Sequence, residues 1–160
     1  MCRRHGTITV INCYNLGKCT NGIVHRYQAG SWYSEIILNI KNCYNLGEVV
    51  ESGILGRQGT VSKKTELNIE NCYNAGTSDK AIIGAISYDT RTETITNVTN
   101  TYYDQTKSTS VGAITEGIEA LNEEDIKNNE SFVETLNNNI GENTEWKRWK
   151  LGEDGYPTFE

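Results

Sequence analysis

The sequence predicts an all-β protein: a short parallel, right-handed β-helix of about four coils, finished by a small helical and aromatic C-terminal cap. Three observations predict it. A hexapeptide recurs as Asn12-Cys13-Tyr14-Asn15-Leu16-Gly17, Asn42-Cys43-Tyr44-Asn45-Leu46-Gly47 and Asn71-Cys72-Tyr73-Asn74-Ala75-Gly76, with a decayed copy at Asn100-Thr101-Tyr102-Tyr103. Its central Tyr sits at 14, 44, 73 and 102, a period of 30, 29 and 29. Self-similarity at such a period marks a repeat architecture. The apolar runs inside each unit are short, rich in Ile and Val, and broken by Gly and Asn. That is a strand pattern and not the 3.6-residue rhythm of helical repeats.

Each unit contains three strand candidates. The first is Ile8-Thr9-Val10, matched by Leu38-Asn39-Ile40, Leu67-Asn68-Ile69 and Thr96-Asn97-Val98. The second starts at the repeated Cys. The third is Gly22-Ile23-Val24, matched by Gly53-Ile54-Leu55-Gly56, Ala81-Ile82-Ile83-Gly84 and Val111-Gly112-Ala113-Ile114. Three strands per unit joined by bends describe one coil. Strands of neighbouring coils lie about 4.8 Å apart, so like residues stack on like. The Cys column then fills a narrow interior as small hydrophobes. The column Asn12, Asn42, Asn71 and Asn100 sits at a bend and bonds its amides from coil to coil. Residues 25–36, 57–66 and 85–94 vary between copies and read as loops on one edge. A propeller is disfavoured because its blades need about 40 residues or more.

Residues 1–115 form the repeat array, and residues 116–160 form a cap within the same domain. Asn122-Glu123-Glu124-Asp125 reads as an N-cap with acids in the first turn, opening a helix to about Asn128. Ser131 to Asn138 reads as a second helix with Phe132, Leu136 and Ile140 along one face. Trp146, Trp149, Leu151, Tyr156 and Phe159 follow. An open solenoid end exposes unpaired backbone and core, and this segment is expected to cover it. Residues 1–7 are short and polar, so the N-terminal end is expected to be covered by upstream repeats in a longer chain.

The composition narrows the chemistry. The net charge of −6 argues against a nucleic-acid partner. No apolar run approaches the roughly 20 residues of a membrane span, so no membrane insertion is expected in this segment. No signal peptide is visible. The Cys residues (Cys2, Cys13, Cys19, Cys43, Cys72) are odd in number and include no CxxC pair. His5 and His25 form no HExxH motif, and His25 reads as a surface or turn residue. Carboxylates fill no column: Lys41, Glu70 and Thr99 are equivalent, as are Lys18, Glu48 and Thr77. Asp89, Arg91 and Glu93 read as a solvated loop. No enzyme activity, cofactor or metal is expected. The repeated feature with binding potential is the Tyr column: Tyr14, Tyr44, Tyr73 and Tyr102. Trp32 and Tyr33 of the first variable loop would enlarge it. Facing outward, it would stack on sugar rings or partner side chains; packed under other segments, it would be a structural ladder.

Asn-Cys-Tyr-Asn-x-Gly followed by Gly-Ile-Leu-Gly resembles the GLUG-type repeats of bacterial surface proteins, as in the non-catalytic parts of IgA-specific metallopeptidases and related adhesins. Trp146-x-x-Trp149 with Gly155-Tyr156-Pro157 resembles the segment that closes such arrays. The resemblance covers residues 8 to about 115 and, more loosely, the tail. It implies an extracellular or cell-wall-associated module, a stalk or adhesive surface with a protein or glycan partner. A carbohydrate-binding module is the alternative, and a polysaccharide lyase-like or hydrolase-like enzyme a remoter one. His25 stands where the repeat expects Gly, and Thr101 and Tyr103 replace Cys and Asn in the fourth copy.

Overall fold

The computed structural model describes residues 4–28, 34–59, 63–87 and 91–160. The first coil carries β1 (Arg4–Ile11), β2 (Tyr14–Asn15), β3 (Cys19–Asn21) and β4 (Val24–Gln28). The second repeats it with β5 (Ser34–Lys41), β6 (Tyr44–Asn45), β7 (Val49–Ser52) and β8 (Leu55–Gly59). In the third, β9 (Lys64–Glu70) and β10 (Tyr73–Asn74) precede a merged β11 (Ser78–Ile86). The fourth has β12 (Glu93–Thr99), β13 (Thr101–Asp104) and β14 (Ser108–Gly112). Then come β15 (Ile118–Leu121), α1 (Glu123–Ile126), α2 (Glu130–Ile140), β16 (Trp149–Leu151) and β17 (Pro157–Phe159).

Equivalent strands pair in parallel and in register. One sheet runs β1-β5-β9-β12, with Ile8 beside Leu38, Leu38 beside Leu67 and Leu67 beside Thr96. The second runs β2-β6-β10-β13-β15, and the third joins β3, β4, β7, β8, β11 and β14. The parallel solenoid is therefore as predicted, but the stack makes about three turns and not four. Four rungs enclose three turns, and after Gly112 the chain leaves the repeat path. It crosses the end of the stack at Gly117 (φ +76), where an added Cβ would fall 1.7 Å from the Val98 carbonyl oxygen.

Alternation builds the core. On β9, Thr65, Leu67 and Ile69 are buried between partly exposed Lys64, Glu66, Asn68 and Glu70. Leu38, Ile40, Ile54, Leu55, Ile82 and Ile83 join them, with Cys43 and Cys72 between. Each Cys also bonds the carbonyl two residues back, at 3.1 Å for Cys43 and 3.3 Å for Cys72. In the fourth copy the buried Thr101 hydroxyl makes the same bond to Thr99, at 2.9 Å, which is why Thr replaces Cys without breaking the rung.

The bend between the first and second strands belongs to Asn. Asn12, Asn42, Asn71 and Asn100 have φ of 53°, 51°, 52° and 47°, the left-handed region that Asn tolerates better than other side chains. Asn42 Nδ2 donates to Asn12 Oδ1 at 2.7 Å, and Asn71 Nδ2 to Asn42 Oδ1 at 2.8 Å. A second ladder, from Asn15 to Asn45 to Asn74, runs with donors at 2.7 Å in each step.

Two expectations change. The variable stretches are not loops throughout: β4, β8 and β11 run into them with paired backbones, because main-chain bonding does not need matched side chains. His25 accordingly lies exposed on β4. The helical and aromatic cap is present, with the Asn122 amide donating to Asp125 Oδ2 and Asn129 Oδ1 accepting from Phe132 at the helix starts. Its position differs from the expected one. Residues 113–121 cross the end, while both helices and the β16–β17 hairpin lie along the flank of the stack, over the second sheet.

Candidate binding surface

The Tyr residues are Cα partners across β2, β6, β10 and β13. Neighbouring residues on a strand face opposite ways, so with Cys inside, Tyr projects outward. The rings of Tyr14 and Tyr44 stack at 5.2 Å, and those of Tyr44 and Tyr73 at 5.4 Å.

The C-terminal segment lies on this column. Trp149 leans on Tyr44 and Tyr73 at 5.5 and 5.7 Å. Phe132 meets Tyr73 and Tyr102 edge-on at 5.9 and 5.2 Å, and Phe159 meets Tyr44 at 5.2 Å. The hydroxyls are engaged too. Tyr44 shares a 2.7 Å bond with Thr158 Oγ1, Tyr73 donates to the Pro157 carbonyl, and Asn139 Nδ2 donates to Tyr102 at 3.1 Å. Burial holds the Tyr73 phenol well above its ordinary range and raises Tyr44 and Tyr102 as well.

Tyr44, Tyr73 and Tyr102 are therefore buried under the C-terminal segment, while Tyr14 is 57 % exposed. Trp32 and Tyr33 lie outside the described residues. Sequence reasoning missed a neighbouring feature, a groove of about 370 Å³ lined by Leu16, Tyr44, Leu46, Gly152, Glu153, Asp154 and Thr158. The Gly152–Gly155 turn forms its far wall. Gly152 N donates to the Tyr156 carbonyl at 2.8 Å, and Asp154 Oδ1 accepts from Tyr156 N at 3.1 Å. Two Gly flanking adjacent acids mark the turn in the sequence, but not what it would face.

A second polar cluster joins three segments. Lys107 Nζ lies 2.9 Å from Glu123 Oε1 and 3.5 Å from Asp104 Oδ2, and the Tyr156 hydroxyl contacts both Lys107 and Glu123. Burial pulls the Lys107 ammonium down, but bonding to Tyr156 and Glu123 outweighs it and holds the group at about 12. Hydrogen bonds from Tyr156 and Lys107 push the Glu123 carboxyl down to about 2. Both groups stay charged across the neutral range, so the cluster acts as a clamp.

Among the described residues no three His, Cys, Asp or Glu side chains gather closely enough to hold a metal ion. No helix among them is long and apolar enough to cross a membrane. Comparison of the chain with family models, with curated proteins and with solved structures gave no match.

Proposed function

We propose that this chain is a non-catalytic repeat module of a bacterial cell-surface or secreted protein, a stalk whose N-terminal face receives a further coil and whose flank offers an adhesive surface. The bacterial, extracellular part of this reading rests on the resemblance of the repeat. The stalk part is supported by one observation: the first coil carries the side chains of an interior coil without, among the described residues, the contacts on its N-terminal face.

Gly17 is the sharpest case. At Gly47 and Gly76 an added Cβ would lie 2.1 Å from the carbonyl oxygen of Gly17 and Gly47 respectively, so only Gly fits. At Gly17 the nearest atom is 3.8 Å away, and nothing among the described residues excludes a side chain. Tyr14 and Leu16 are 57 % and 60 % exposed, although Tyr44 and Tyr73, the counterparts of Tyr14, are buried. Tyr44 N donates to Cys13 O at 3.0 Å and Leu46 N to Asn15 O at 2.9 Å. The equivalent amides of Tyr14 and Leu16 find no partner among the described residues. A coil seated on this face would fill all of these places.

Fusing a copy of residues 34–62 ahead of Arg4 tests the proposal. Stability in a solenoid adds through nearest-neighbour interfaces. The melting temperature is expected to rise by about 4 °C or more, with amide exchange slowed at Tyr14 and Leu16. An unchanged melting temperature with unprotected amides would count against the stalk reading. Turnover of any polysaccharide by the chain would overturn its non-catalytic part. Among the described residues a glycan-stacking role rests on Tyr14, and a glycan array with Tyr14→Ala as control tests it.

A further inference from the structure

The groove beside Tyr14 has a chemical character that names its occupant. Its floor is apolar: Leu16, the half-buried Leu46 and the ring of Tyr44. Its wall carries Glu153 and Asp154, and neither carboxylate forms an ion pair among the described residues. On the repeat side, Lys18 is paired with Glu48 at 2.7 Å. Asp154 is held in place by its bond to Tyr156 N, and its charge reaches the stacked phenols, helping to raise Tyr44 and Tyr73. Thr158, whose hydroxyl is bonded to Tyr44, lines the same groove.

A neutral sugar would leave the two carboxylates without a countercharge. An anionic partner would meet repulsion. A cation on an aliphatic stem satisfies both surfaces: its methylenes lie along the leucines while its head reaches the acids. We propose that this groove binds a lysine side chain of an extended partner peptide. The inference stands on the groove alone and does not require the stacking of a further coil.

The probe is the blocked peptide acetyl-Gly-Lys-Gly-amide, titrated into the intact 160-residue chain while amide and methyl NMR shifts are followed. Shifts are expected at Leu16, Leu46 and the 152–158 segment, weakening as salt is added. Replacing lysine by acetyl-lysine in the peptide should remove them. Glu153→Gln with Asp154→Asn should weaken binding by about fivefold. Glu153→Gln alone, which touches no hydrogen bond of the fold, gives a smaller loss with folding intact by circular dichroism. Absence of shifts at the groove overturns the proposal. So does equal binding of the acetylated peptide, or of a neutral oligosaccharide that survives the double substitution.

Discussion

Asn42 concentrates the physics of this molecule in one side chain. It holds a left-handed backbone at φ 51°. Its Nδ2 donates to Asn12 Oδ1 and to the Lys147 carbonyl at 3.0 Å, while its Oδ1 accepts from Asn71 and from the Trp149 indole at 2.7 Å. Asn42→Ala strains the backbone and leaves buried donors unmatched, a loss of about 3 kcal/mol. Asn42→Gly relieves the backbone and should recover about 1 kcal/mol of it. Urea denaturation of the two variants checks both values. Equal losses would mean that the bend carries no strain. This residue was legible in the sequence, because a parallel stack places like on like and Asn is the side chain best suited to a left-handed bend ahead of a strand. Its bonds to Trp149 and Lys147 were not legible, since they join positions more than 100 residues apart that share no pattern.

Among the elements, the C-terminal segment is the one whose kind was readable and whose place was not. Capping residues and an apolar helical face announce α1 and α2 locally. Where such a face docks depends on which surface is left apolar, and the two-residue strand Tyr44–Asn45 is too short to show which of its sides is inner. The segment is held at its base by the Lys107, Glu123 and Tyr156 clamp. Because the Glu123 carboxyl is depressed when folded, its contribution is complete above the ordinary carboxylate value of about 4.5 and fades as pH falls toward about 2. The melting temperature is expected to drop across that interval, and to drop less in Glu123→Gln. Parallel curves for the two proteins would show that the clamp contributes nothing.

At the scale of the whole molecule, two apolar clusters share one sheet as a wall. The inner one is filled by Leu, Ile and Cys, and the outer one by Tyr, Trp and Phe. Removing residues 116–160 would bare Tyr44, Tyr73 and Tyr102 in a continuous stripe. Apolar surface of that extent draws partners indiscriminately, so the truncated chain is expected to bind ANS and to sediment as aggregates. A monomeric truncated chain with native thermal stability would show that the outer cluster is dispensable. The coil arrangement itself came from the period of the repeat. The turn count did not, because the sequence does not mark where the fourth copy leaves the helical path.

The outward-lying tail also sets an order of events. Asn12 bonds the Glu145 carbonyl and the Lys147 amide, across separations of 133 and 135 residues. This rung is fastened only when residues more than 130 positions further along the chain are in place. Until then the nascent repeats can pair locally, coil upon coil, yet their aromatic side stays bare. The repeats thus wind through contacts about 30 residues apart, while the clasp on their aromatic side depends on contacts more than four times as distant along the chain.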